Sequence, residues 1–264
     1  MLALYLAVWF PAGQGAPAIS PITVSAAVSL TDALTTVAEA YGRTGGNVRF
    51  NFGASNVLAR QIASGAPVDV FISADEAQMD VVAAAGLVKE GSRVDVLRNL
   101  LAVALPNDRA RTFKNIKEIA DPNIKRIAIG DPAGVPVGVY AKQYLEKEGL
   151  WDAVQARVVP TGSARAALAA VESGAADAAI VYRTDVRTSL RATVAWVVPV
   201  DRGPRILYPA AIVRTTTVPS ESKRFLDFVR GDVASRIFTR FGFEIAPAPI
   251  PTPRLALRRG RQAQ

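Results

Sequence analysis

The chain has 264 residues, half of them apolar and a fifth charged, enough to bury the core of one large domain or of two with about 100–150 residues each. It contains neither cysteine nor histidine, which removes thiolate and imidazole nucleophiles, the commonest general base near neutral pH and the usual zinc ligands. Half of its net charge of +8 sits on Arg254, Arg258, Arg259 and Arg261 near the C-terminus, and no basic stripe interleaved with aromatics marks the rest as a nucleic-acid surface.

Residues 2–10 form a nine-residue apolar run, followed by Pro11 and then by Ala16-Pro17-Ala18. That order resembles the apolar and cleavage regions of a secretory signal, and the run is too short to cross a membrane as a helix. No basic residue precedes it. The expectation is a signal-like segment at residues 1–20, shortened at its start, on an exported periplasmic protein. The competing reading is an N-terminal strand.

From residue 22 onward, apolar runs alternate with amphipathic stretches. The segments 22–26, 48–52, 68–72, 100–105, 126–130, 178–182, 193–198 and 210–213 predict strands. The segments 30–43, 56–63, 76–84, 139–148, 164–173, 220–230 and 235–241 predict helices. Strands separated by helices of this length imply βαβ units, an α/β fold and mainly parallel sheets covered on both faces. After residue 246 the chain is Pro-rich and then basic, which predicts a disordered tail over 247–264.

Two strand candidates, 97–106 and 205–214, bracket a middle segment of about 100 residues. Residues 21–103 with 207–246 would then form one lobe and 104–206 the other, joined by two hinge strands with a ligand cleft between them.

Polar residues recur where strands run into helices. Ser29 lies in Ser25-Ala26-Ala27-Val28-Ser29-Leu30-Thr31-Asp32, and Ser55 in Asn51-Phe52-Gly53-Ala54-Ser55-Asn56. A Gly/Pro loop, Gly130-Asp131-Pro132-Ala133-Gly134-Val135-Pro136-Val137-Gly138, opens a third helix, and Thr161-Gly162-Ser163-Ala164-Arg165 a fourth. A helix start presents unpaired N–H groups and a partial positive charge, so such turns suit an anion without any cationic side chain. Each serine read alone is equally a helix cap. Tyr182 ends a predicted strand, where its hydroxyl either donates into a cleft or is satisfied within the core. Asp69, Asp75 and Asp131 near strand ends read as turn and cap residues rather than as acids of an active site.

Taken together, the runs AAVSLTDAL, NFGASNVLARQIASGAPVDVFISAD, IGDPAGVPVGVYAKQYLEKEGLW, AIVYRTDV and RFGFEI resemble the periplasmic molybdate-binding proteins of ABC importers, over roughly residues 22–245. The resemblance implies a two-lobed periplasmic-binding-protein fold of type II and a binding protein rather than an enzyme. Carried over by motif, the oxyanion contacts fall on Ser29 and Ser55 in one lobe and on Val137, Ala164 and Tyr182 in the other. The three hydroxyls and several backbone amides donate. No cofactor and no metal cation are implied; molybdate or tungstate is the ligand, a membrane permease the partner, and a monomer the expected state. Ala54 departs from the pattern, since relatives often carry a further hydroxyl there.

A cradle made only of donors suits unprotonated molybdate, tungstate or sulfate, whereas phosphate carries a proton that needs an acceptor. Size alone separates sulfate from molybdate, so a sulfate or other oxyanion carrier of the same fold is the alternative. The effector domain of a transcription regulator shares this architecture, but no helix-turn-helix precedes residue 22.

Overall fold

Two sheets organise residues 21–247, the part of the chain that the computed structural model describes. The signal-like segment 1–20 and the tail from residue 248 lie outside the described residues. The first stretch runs β1 (Ile22–Ala27), α1 (Thr31–Gly42), β2 (Val48–Gly53), α2 (Ser55–Ala63), β3 (Val70–Ile72), α3 (Glu76–Ala84) and β4 (Val94–Asn99). The middle comprises β5 (Leu101–Pro106), β6 (Ile127–Gly130), α4 (Pro136–Lys147), α5 (Trp151–Val154), β7 (Val158–Thr161), α6 (Ala164–Glu172), β8 (Ala178–Tyr182), α7 (Arg183–Arg187) and β9 (Ala192–Val197). The chain then returns through β10 (Ile206–Ile212), α8 (Pro219–Val229), α9 (Asp232–Arg240) and β11 (Glu244–Ile245).

The first sheet has the order β11-β4-β10-β3-β1-β2 and the second β7-β6-β8-β5-β9. β8 and β10 are buried along their whole length, as strands covered on both faces by helices must be. β2 lies at a sheet edge and alternates instead, with Arg49 and Asn51 exposed while Phe50 and Phe52 stack at 4.9 Å on the inner side.

The sheets are mixed rather than mainly parallel. β1 runs parallel to β2 and β3, and β6 parallel to β7 and β8, through helical crossovers. β10 and β5, however, are antiparallel to both of their neighbours. These strands reach their sheet directly from the other one, without a helix to reverse them, so the parallel rule for βαβ units does not govern them.

The segment 97–106 is two strands, not one. β4 belongs to the first sheet and β5 to the second, and the change of sheet falls at Leu100, before the 103/104 position read from sequence. Asn99 fixes this corner. Its Oδ1 accepts the Leu100 N–H at 2.9 Å, while its Nδ2 donates to Thr184 Oγ1 at 2.8 Å and to Tyr208 Oη at 3.2 Å. Three strands escaped the pattern reading. β4 carries Asp95 and Arg98 within an apolar run, β7 contains Pro160 and is tolerated at a sheet edge, and β11 has two residues.

One glycine sets the distance between a helix and the sheet that carries it. A methyl group at Gly138, in the first turn of α4, would stand 1.8 Å from the Gly130 carbonyl oxygen at the end of β6. Gly138→Ala should therefore cost at least 2 kcal/mol, about the scale of overpacking in a close-packed interior. Gly42→Ala, where nothing lies within 4 Å of the added carbon, should be neutral or stabilising by about 0.5–1 kcal/mol. Denaturant unfolding of the two variants checks the contrast.

Candidate functional site

Six residues from each sheet's unit line a cavity between them, with about 20 Å³ of water-sized space, on the order of a single water molecule. Ala27, Val28, Gly53, Ala54, Ser55 and Ala74 form one wall; Val135, Pro136, Val137, Ser163, Ala164 and Tyr182 form the other. None of them carries a charge. The lining is nonetheless rich in hydrogen-bond donors, because three helices begin there.

Each helix start leaves amides without partners. At α2, the Val57 and Leu58 N–H groups both turn back to the Ala54 carbonyl, which leaves those of Ser55 and Asn56 free. At α4, Gly138 and Val139 donate to the Val135 carbonyl; Pro136 has no N–H, so the amide of Val137 is the first one available. At α6, Ser163 caps the helix, its Oγ accepting from Ala166 N at 3.1 Å and its carbonyl from Ala167 N. Ala164 and Arg165 keep theirs. These amides point to the positive ends of three helix dipoles.

The hydroxyl groups can be followed proton by proton. Ser55 Oγ accepts the Ala74 N–H at 2.9 Å, so its oxygen is occupied and its own proton is free to donate. Ser29 sits in a short 3-10 turn, Val28–Leu30, before α1, with its Oγ 3.1 Å from Tyr208 Oη. Tyr208 already accepts from Asn99 Nδ2, whose orientation is set by the Leu100 contact. Either hydroxyl can donate in this contact; with Tyr208 as the donor, the Ser29 proton is likewise left over. Tyr182 Oη is buried and has no hydrogen-bond partner among the described residues. Burial pushes its phenol well above the usual value of 10, so it stays protonated as a donor.

Of the sequence-predicted contacts, Ser55, Val137, Ala164 and Tyr182 thus share one cavity. Ser29 is next to Val28, which lines it, and its hydroxyl engages Tyr208. Ala54 also lines the cavity, so the missing hydroxyl there falls on the wall itself. Pattern reading missed Tyr208 and Asn99, which orient Ser29 from two strands distant in sequence, and Ala74, which orients Ser55. Only a three-dimensional contact reveals such partners.

A charged group stands just behind the wall. Arg165 pairs with Asp32 of α1 and places Nε 3.1 Å from Asp185 Oδ1. Asp185 is fully buried; burial pushes its carboxyl up to about 7, with Arg165 pulling the other way. The other acids considered for chemistry are structural. Asp69 accepts from Thr23 N and Thr216 Oγ1, Asp75 caps α3 through Gln78 N, and Asp131 accepts from Ala133 N. Among the described residues no cluster of three acids forms a metal site.

Comparison with known proteins identifies the family. The family profile described as "Bacterial extracellular solute-binding protein" matches residues 22–244. The molybdate-binding protein ModA of Escherichia coli is 38% identical over 232 residues, 85% of this chain and 89% of that protein. The solved periplasmic molybdate-binding protein of Azotobacter vinelandii superposes with a TM-score of 0.79 at 26% identity, over 86% of this chain and 100% of that one. The sulfate-binding protein SubI of Mycobacterium tuberculosis shares the fold, with a TM-score of 0.72 at 19% identity over 85% and 86% of the two chains. The chain therefore belongs to the bacterial extracellular solute-binding proteins, a family of binding proteins rather than enzymes, and within it to the relatives of ModA.

Proposed function

We propose that the protein captures molybdate in the cavity between its two units, as an exported monomer, and delivers it to the membrane permease of an ABC importer. Ser29, Ser55 and Tyr182 donate through their hydroxyls, and Val137 and Ala164 through their amides. Tungstate, almost isosteric with molybdate, binds in the same way. The observation that carries this reading is the cavity's chemistry: free donors from three helix starts and an unpartnered buried phenol, with no carboxylate in the wall.

The energetics are sufficient without a cation. A dianion leaves water only if its oxygens are hydrogen-bonded throughout. Hydrogen bonds to a charged group contribute about 1.5–3 kcal/mol each, so five to seven of them support tight capture. Protonated phosphate would bring a donor to a wall of donors. Sulfate has the same charge and shape as molybdate, and the shared fold of a sulfate carrier keeps it as the second reading.

Isothermal calorimetry should find molybdate and tungstate tight and comparable, with sulfate weaker by more than tenfold, about 1.4 kcal/mol. Sulfate within tenfold of molybdate would assign the site to sulfate instead. Molybdate should also raise the melting temperature progressively with concentration. Since Tyr182 ionises only far above its ordinary value of 10, affinity should stay flat from about pH 7.5 to 9.5.

Two variants separate ligand contact from structural support. Tyr182→Phe should weaken molybdate binding by about 1.5–3 kcal/mol while leaving the ligand-free protein as stable or up to about 1 kcal/mol more so, because the lost hydroxyl had no partner within the protein. Ser55→Ala should lower affinity similarly and also cost about 1–2 kcal/mol of stability, because the Ala74 N–H loses its acceptor. Calorimetry and urea unfolding measure both quantities. Equal stability losses in the two variants would contradict the proton assignment.

A further inference from the structure

Arg165 is the residue after Ala164, at the start of α6, yet its side chain does not line the cavity. Instead it reaches two carboxylates on opposite sides of the cleft. Asp185 belongs to α7, in the same unit as Arg165; Asp32 belongs to α1, in the other. Asp185 is completely buried, and neither of its oxygens has a hydrogen-bond partner among the described residues, so the guanidinium 3.1 Å away supplies its counter-charge. The Asp32 side chain keeps 41% of its surface exposed. A guanidinium presents donors on several edges and can serve both acids at once; an ammonium is a single point charge.

We propose that Arg165 is a clasp, held ready by Asp185 in its own unit, that catches Asp32 when the two units close and so sets how fast the bound oxyanion is released. Its place in the chain suits this role. Ala164 puts an amide on the cavity wall, and Asp32 follows by four residues the wall residue Val28. The ion pair therefore joins the two walls where they meet, one layer outside the ligand. Asp185 remains paired whether the units are open or closed, whereas the Asp32 contact exists only when they come together. Arg165 is thus a positioning residue. Losing Asp32 should act on release and leave selectivity among oxyanions alone, because neither member of the pair lines the cavity.

The inference rests on the molybdate reading, and stopped-flow release of molybdate tests it. Asp32→Asn should release molybdate three- to tenfold faster, the range expected for a half-exposed charge pair acting on the bound state. The association rate should stay within about twofold and the molybdate-to-sulfate affinity ratio should not change. Asp32→Glu, which keeps the charge, should release nearly as slowly as the native protein. Release from Asp32→Asn at the native rate would overturn the clasp even though molybdate binds. Should the native protein take up no molybdate, tungstate or sulfate, the functional reading fails by itself. The clasp is then decided by a dye pair on cysteines introduced at exposed Glu39 and Ser173, in a chain with no cysteine of its own. Asp32→Asn should lengthen their mean separation, and an unchanged separation would refute the clasp.

Discussion

A doubly charged ion can be taken out of water by neutral groups only if donors meet it from every side, and this demand explains why the chain is folded as two units. One helix start offers one or two free amides in a single direction. Three of them, at Ser55, Val137 and Ala164, come to one cavity only because two sheets present the C-terminal edges of their parallel strands to each other. The sheets repeat one layout. Reading inward from an edge, β2-β1-β3-β10-β4 and β7-β6-β8-β5-β9 have the same sequence of pairings: two parallel, then two antiparallel. In each, the ladder shifts register once beyond the parallel strands, at Tyr208/Pro209 and at Val103/Ala104. The strands that follow directly on a change of sheet, β5 and β10, occupy equivalent places.

Tyr208 shows how this layout reaches the site. It comes from the returning strand β10, late in the chain, and shares a hydrogen bond with Ser29 in the first turn. Asn99, at the corner where the chain changes sheet, donates to Tyr208 and also to Thr184 in the other unit. Orientation of a donor near the cavity therefore depends on the crossover itself. A serine that both gives and accepts within the protein would have no proton to offer an anion; Ser55 accepts from the Ala74 N–H and keeps its proton, and Ser29 does the same when Tyr208 is the donor between them.

Much of this was legible in the sequence, for identifiable reasons. Strands such as 178–182 are continuous apolar runs and the helix 76–84 is opened by the capping Asp75, so both were read with their observed bounds. The helix-start serines were legible because the strand-turn-helix layout recurs. β4 was not, since Asp95 and Arg98 on a partly exposed strand break the apolar run, and its fusion with β5 hid the corner at Leu100. The antiparallel strands were misread for a related reason. Alternating strands and helices predict parallel pairing only while the chain stays in one sheet, and nothing local announces that it has left. Partners such as Tyr208 for Ser29 and Arg165 for Asp185 are separated by 179 and 20 residues, and a single sequence contains no sign of them.

Keeping charge out of the wall has a further consequence. Had Arg165 faced the cavity, Coulomb attraction would have favoured every dianion alike and slowed its release to the permease. Placed one layer back and committed to Asp185 and Asp32, it contributes to closure and not to recognition. The cavity itself is lined by neutral residues, several with small side chains, among them Ala27, Ala54, Ala74 and Ala164. In a close-packed wall even one added atom is felt. The alanine at position 54, where a hydroxyl would have supplied another donor, gives up a hydrogen bond and leaves room.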